Sequence, residues 1–184
     1  MVSRLRFDGE FDADLSQYAA VASAGYRAFE QTTVQLSAGA VLGGRLSANA
    51  TDHEVRPGFL LSAQVAQQWL DPGAPFLVTS FAFGYSSART ESPQGESSRL
   101  TASDLRFSLL AGYTVSEWLS PFALTRAFAG PVAWEDGGAD RSGSDRNHYA
   151  LGAGIVARAS GARLTLSGSA LGERSVSVGA SYHF

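Results

Sequence analysis

Apolar and polar residues alternate along this chain in short blocks, and the period is two. The first block sets Leu5, Phe7 and Phe11 against Arg4, Arg6, Asp8 and Glu10. Another sets Leu105, Phe107, Leu109, Ala111 and Tyr113 against Asp104, Arg106, Ser108, Gly112 and Thr114. Later, Tyr149, Leu151, Ala153 and Ile155 alternate with His148, Ala150, Gly152 and Gly154. Successive side chains of a strand point to opposite faces, so the period predicts strands and not helices. About ten are expected, with eight as the alternative count: 3–11, 17–29, 33–44, 56–69, 75–88, 100–115, 121–134, 147–158, 163–171 and 174–184. Two blocks fit less well. Ser62 to Leu70 could form a helical turn, and Arg126 shares parity with Phe122, Leu124 and Phe128, which a bulge would repair.

The connections carry an independent pattern. Segments 30–32, 71–74, 116–120 and 159–162 are short, with Asp71-Pro72-Gly73 and Ser160-Gly161 as turn formers. Between them lie the longer polar segments 45–55, 89–98 and 135–146, rich in Ser, Gly, Asp and Glu. Only 12–16 and 172–173 are short where this scheme expects long connections. Alternating short turns and longer loops are what an up-and-down transmembrane barrel shows. The blocks also cover the roughly 9 to 11 residues a tilted strand needs to cross hydrocarbon. The expectation is all-β: one domain, 1–184, forming a single closed antiparallel transmembrane β-barrel.

Alternation has no sign, so the residue types must say which face is apolar. The polar parity is mostly tiny: Ser80, Ala82 and Gly84; Gly152 and Gly154; Ser175, Ser177, Gly179 and Ser181. A water-facing exterior carries long charged side chains, whereas tiny residues suit the crowded interior of a small barrel. On the other parity, rings gather toward strand ends, at Tyr18, Tyr26, Trp69, Tyr85, Tyr113, Tyr149 and Tyr182. Rings at two levels predict interfacial girdles facing lipid. A soluble lipocalin-like ligand-binding barrel would show the same period and stays as an alternative.

Composition narrows this further. Charged residues make up 17% of the 184 residues, below the quarter to a third of a soluble surface. No run approaches the roughly 20 apolar residues of a membrane helix. There is no cysteine and no lysine, and the net charge of -3 gives no case for nucleic acid. No apolar leader follows Met1, so an outer-membrane reading takes the leader as removed and Met1 as added for expression.

The segment Ser175-Val-Ser-Val-Gly-Ala-Ser-Tyr-His-Phe184 resembles the C-terminal strand of Gram-negative outer-membrane proteins. The likeness rests on Val176, Val178, Ala180, Tyr182 and the terminal Phe184. It implies a bacterial outer-membrane location, contact with lipid and lipopolysaccharide, and reading of this strand by the barrel-assembly machinery.

Charge on a lipid face costs roughly 2–4 kcal/mol at the midplane. Parity therefore sends Arg4, Arg6, Asp8, Glu10, Arg27, Asp104, Arg106 and Arg126 to the lumen, as ion pairs closing it or as the lining of a small-solute pore. A rim-located hydrolase, protease or lipid-modifying, is the enzymatic alternative. Asp52, His53 and Glu54 lie in one predicted loop, and Asp136, Asp140, Asp145 and His148 lie by another. No motif aligns with such an enzyme, and Ser144 and His148 lack a spacing that favours a nucleophile–base pair. The Asp136 to Asp145 run is rich in oxygen ligands but lacks calcium-loop spacing. No catalytic residue, metal or cofactor is assigned. The expected function is a monomeric, non-enzymatic outer-membrane barrel, structural or passing small solutes, with outer loops as contact surfaces.

Overall fold

The computed structural model describes every residue except 10, 50, 71–74, 137, 183 and 184. Twelve strands follow in order: β1 (Val2–Phe7), β2 (Phe11–Phe29), β3 (Thr32–Ala48), β4 (Thr51–Gln68), β5 (Pro75–Glu91), β6 (Ser97–Tyr113), β7 (Leu119–Ala129), β8 (Pro131–Asp136), β9 (Ala139–Asp145), β10 (Tyr149–Ala159), β11 (Ala162–Gly172) and β12 (Ser175–Tyr182). All pairings between them are antiparallel, in the order β12-β11-β10-β7-β6-β5-β4-β3-β2-β1-β9-β8. A further pairing of β6 with β8 closes eight of these strands, β1 to β6 with β8 and β9, into a ring.

The period-two reading therefore holds, and the chain makes ten up-and-down passes, two of them interrupted. One pass breaks at Gly130, where an added Cβ would strike the Ser103 carbonyl oxygen, so only glycine lets the backbone lie so close. The other breaks between β9 and β10, where the Arg146 N–H donates to the Arg4 carbonyl. At both breaks the partners change: β7 and β10 pair with each other below, while β8 and β9 pair above.

The segments expected as long loops are largely strand. β3 runs to Ala48 and β4 begins at Thr51, β5 runs to Glu91, and β8 and β9 form a hairpin. Residues 12–16 also belong to β2, and Ser62 onward is strand to Gln68 with no helical turn. Polar composition misled here because an antiparallel strand that packs one face on the core can leave the other to water and needs no apolar side chains there. The turn formers Asp71-Pro72-Gly73 lie outside the described residues.

The upper part of the ring, toward the Asp8–Gly9 turn, has an apolar core. Leu5, Phe7, Ala13, Leu15, Leu46, Ala48, Val55, Leu100, Val132 and Trp134 are buried together. The Phe7 and Trp134 rings lie 5.7 Å apart, and His53 meets Trp134 edge-on at 4.9 Å. The Trp134 indole N–H donates to the Thr90 hydroxyl at 2.9 Å, which satisfies both buried polar groups.

In the lower part the chemistry inverts. Phe81, Phe83, Leu105, Phe107, Leu151, Ile155, Leu164, Leu166, Val176 and Val178 are exposed. The opposite parity carries Ser62, Ser80, Ala82, Gly84, Ser108, Thr165, Ser167 and Ser177, which line an interior hollow of about 380 Å³. A bulge lets β3 serve both parts. Tyr18 and Ala19 of β2 face Gly43 and Val41, so Leu42 is the extra residue. Gly43, at φ 152°, takes a conformation open to glycine.

Candidate functional site

The features that could carry function lie inside, where the apolar plug of the upper part meets the polar hollow below. A cavity of about 90 Å³ sits at this junction. Its roof is Leu5, Leu15, Leu100 and Val132, and its polar wall is Ser3, Asp104, Arg106, Asp145 and Glu173. β6 supplies Asp104 and Arg106, whose side chains pair at 3.1 Å. An added Cβ on Gly84, the residue facing Asp104 from β5, would occupy the place of its carboxylate, so glycine makes room for the acid. Asp145 ends β9, and Glu173, buried, lies between β11 and β12. Burial pushes the Asp145 carboxyl up to about 6, and the Glu173 carboxylate adds to the rise. The neighbouring Ser3 hydroxyl and His148 act in the opposite direction. Asp145 is therefore a proton-binding group close to neutral pH, beside a second carboxylate.

The hollow below is lined by Arg106 and Arg126 together with the serines named above. β7 contributes Arg126 with Phe122, Leu124 and Phe128 on the same inward face, in unbroken register with β6 and β10. No bulge repairs the parity of Arg126 in this strand. The strand inverts its chemistry instead, placing large rings inside and Ala123, Ala127 and Ala129 outside. Glycines opposite make the room: an added Cβ on Gly154 would meet the Phe122 ring, and one on Gly112 would meet Phe76.

The charges expected in the lumen divide in two. Asp104, Arg106 and Arg126 are inside, and Arg27 shares the inward parity of Ser23 near the lower end of β2. Arg4 and Arg6 are outside, a correction to the expectation, because Leu5 and Phe7 of the same strand, at 1% and 0% exposure, fill the core. Arg4 pairs with Asp14 at 3.1 Å, and Arg6 with Asp12 at 2.9 Å. Arg6 with Arg146 holds the Asp12 carboxyl below its ordinary value. Asp8 sits at the top turn and pairs with Arg141 at 3.2 Å. Glu10 lies outside the described residues. Ion pairs therefore line the upper exterior, and apolar packing closes the ring.

Three of the residues weighed for rim catalysis, Asp52, His53 and Glu54, are engaged with neighbours. Arg45 pairs with Asp52 at 3.4 Å, Arg56 with Glu54 at 3.1 Å, and His53 packs on Trp134. Among the described residues no three acidic or histidine side chains converge in a metal-binding group. Tyr18, Tyr85 and Tyr149 are exposed at the upper edge of the apolar outer band, and Tyr26, Trp69, Tyr113 and Tyr182 toward its lower edge. Trp118 joins the lower level and escaped the sequence reading, because it falls in a segment read as a turn. Val176, Val178, Ala180 and Tyr182 share the outward parity of β12, opposite Ser177, and Phe184 lies outside the described residues.

The interior carboxylates Asp145 and Glu173 were not legible as a pair. One stood in an acidic loop-like run and the other in a two-residue connection, and only the closing of β1 against β9 brings them together. The one available sign was a charge placed between two apolar blocks. No family model matches the chain, and no curated protein matches it either, so its reading rests on this geometry.

Proposed function

We propose that this chain is a non-conducting outer-membrane β-barrel, an integral structural protein whose upper ring stands in water above the lipid. The observation that carries the reading is the inversion of chemistry along one continuous sheet. Below Tyr18, Tyr85 and Tyr149 the outer face is Leu, Val, Ile and Phe, and above them it is paired Arg, Asp and Glu. A sheet in water throughout would leave the lower band as an exposed apolar patch far above the few hundred Å² that soluble monomers show. In hydrocarbon the same band gains free energy, and the rings at its two edges sit where amphipathic side chains prefer to be.

The apolar plug favours a closed barrel over a small-solute pore, because water and ions do not cross a packed Leu-Phe-Trp core. Lipid, lipopolysaccharide and the barrel-assembly machinery are the partners this reading entails. The last would act through Val176, Val178, Ala180, Tyr182 and Phe184.

Two measurements test it. The refolded chain should require detergent or vesicles to stay monodisperse, and dispersal in plain buffer as a monomer would refute the membrane reading. In a planar bilayer it should give no steady unitary current, whereas reproducible conductance steps would return the pore.

A further inference from the structure

The hollow below the plug carries positive charge on one wall. Arg106 and Arg126 both line it. Ser108 of β6 lies opposite Arg126 of β7, and Arg106 lies opposite Phe128. The two arginines are therefore diagonal neighbours on one inward face, their backbones about 7–8 Å apart, so that one small ligand can reach both side chains. Ser80, Ser108 and Arg126 also form a row across β5, β6 and β7.

The hydrogen-bonding capacity of this pair is largely unused. Arg106 gives a terminal nitrogen to Asp104 at 3.1 Å, while its buried Nε has no partner among the described residues. Arg126 makes neither an ion pair nor a hydrogen bond among the described residues. A guanidinium cannot shed its proton when enclosed, so it needs an acceptor. Asp104 is the one carboxylate among the lining residues of the hollow, since Asp145 and Glu173 border the cavity above. Further down, Arg158 and Arg163 are directly opposed on β10 and β11, on the inward parity of Thr165 and Ser167. Neither has an ion pair among the described residues, and Arg158 donates to the buried Ser120 hydroxyl at 2.6 Å. Like charges held directly opposite are unfavourable in a sheet, and cationic walls of a narrow space concentrate anions in it.

We propose that the lower hollow is a binding site for a small oxyanion, a phosphate or carboxylate group taken by Arg126 and the Arg106 Nε, with the Ser80 and Ser108 hydroxyls donating beside them. A planar guanidinium presents two parallel N–H groups that match two oxygens of either group. Leu110, Phe122 and Leu124 on the other walls leave room for an apolar remainder, and the 380 Å³ of the hollow exceeds what a bare ion fills. The site does not depend on a membrane around the chain, because the hollow is interior in either solvent.

Calorimetric titration of the whole refolded chain tests this, with sodium phosphate and separately with sodium acetate at pH 7 and constant ionic strength. Saturable binding at one site is expected. Arg126→Gln should weaken it by about tenfold or more, and Arg126→Lys should weaken it less. Arg45→Gln removes a charge from the exterior, where Arg45 pairs with Asp52, and should leave the affinity unchanged. Ser80→Leu keeps both arginines and narrows the hollow, so it should also weaken binding by about tenfold, and it decides the matter where Arg126→Gln does not fold. Tighter binding of phosphate would assign a phosphate ligand and tighter binding of acetate a carboxylate, each supporting the site. Absence of saturable heat with both anions would mean that the hollow holds only water, and would overturn the proposal. So would an equal loss in Arg45→Gln, or full affinity retained in Arg126→Gln or in Ser80→Leu.

Discussion

At the residue scale, single positions hold the apolar plug and the polar interior: Trp134 in the plug, Gly154 on the lower wall and Asp145 between them. Trp134 is the largest fully buried side chain and the only indole in the plug. Trp134→Ala removes its contacts with Phe7 and His53 and strands the Thr90 hydroxyl. It should lower stability by roughly 3–5 kcal/mol, measured by denaturant titration in detergent. Gly154 faces the Phe122 ring and the Leu166 carbonyl, where an added Cβ has no room. Gly154→Val should cost about 1–3 kcal/mol, more than Ala153→Val one position along, where the side chain faces outward.

Asp145 gives a pH dependence whose sign is fixed. Its carboxyl titrates near 6 in the folded chain against an ordinary 3.8, so folding favours the protonated form. Its contribution is fully present below about 3.8 and is lost as pH rises toward about 6. Asp145→Asn should flatten the fall in stability across that window and leave the protein more stable than the parent at pH 7. Parallel stability curves for the two chains would contradict the assignment.

At the element scale, single extra residues decide which side chains meet. Leu42 in β3 is the bulged residue that keeps Val41 and Leu46 on the same inner face, although they are an odd number of positions apart. Deleting it would turn Leu46 and Ala48 outward and aim Arg45 into the plug. A buried charge without a partner costs roughly 3–5 kcal/mol, so the deletion should abolish refolding or cut stability by at least that much, read by loss of heat-resistant migration on a gel. β7 shows the limit of parity arguments. Its Phe122, Leu124 and Arg126 share one face, and the strand keeps its register by burying rings against Gly112 and Gly154. No count along β7 alone could reveal this, because the space is provided by glycines on two other strands.

At the scale of the whole molecule, one sheet holds two environments in sequence. Charged pairs cluster on the upper exterior, small polar residues fill the lower interior, and the apolar surface moves from inside to outside between them. Most of the passes were legible from alternation and turn formers, because a period of two follows from the geometry of a single extended chain. The band of Phe81, Phe107, Leu151 and Val178 was also read on its observed, outward side, since the tiny residues opposite it suit an interior. The first strand was read the wrong way round. Leu5 and Phe7 alternate with Arg4 and Arg6 as Leu105 and Phe107 do with Asp104 and Arg106, yet the two pairs face opposite ways.

By itself, then, the sequence determined that the chain forms strands, roughly where their apolar stretches lie, and which residues within such a stretch share a face. It could not determine which face looks inward at a given height, which passes break, or that Asp145 would meet Glu173. Those depend on partners far away along the chain: β9 for β1, β8 for β6, and Arg174 for Val2. The physical reason is that alternation fixes only relative orientation within a strand, while inside and outside exist only once strands have closed around a common axis.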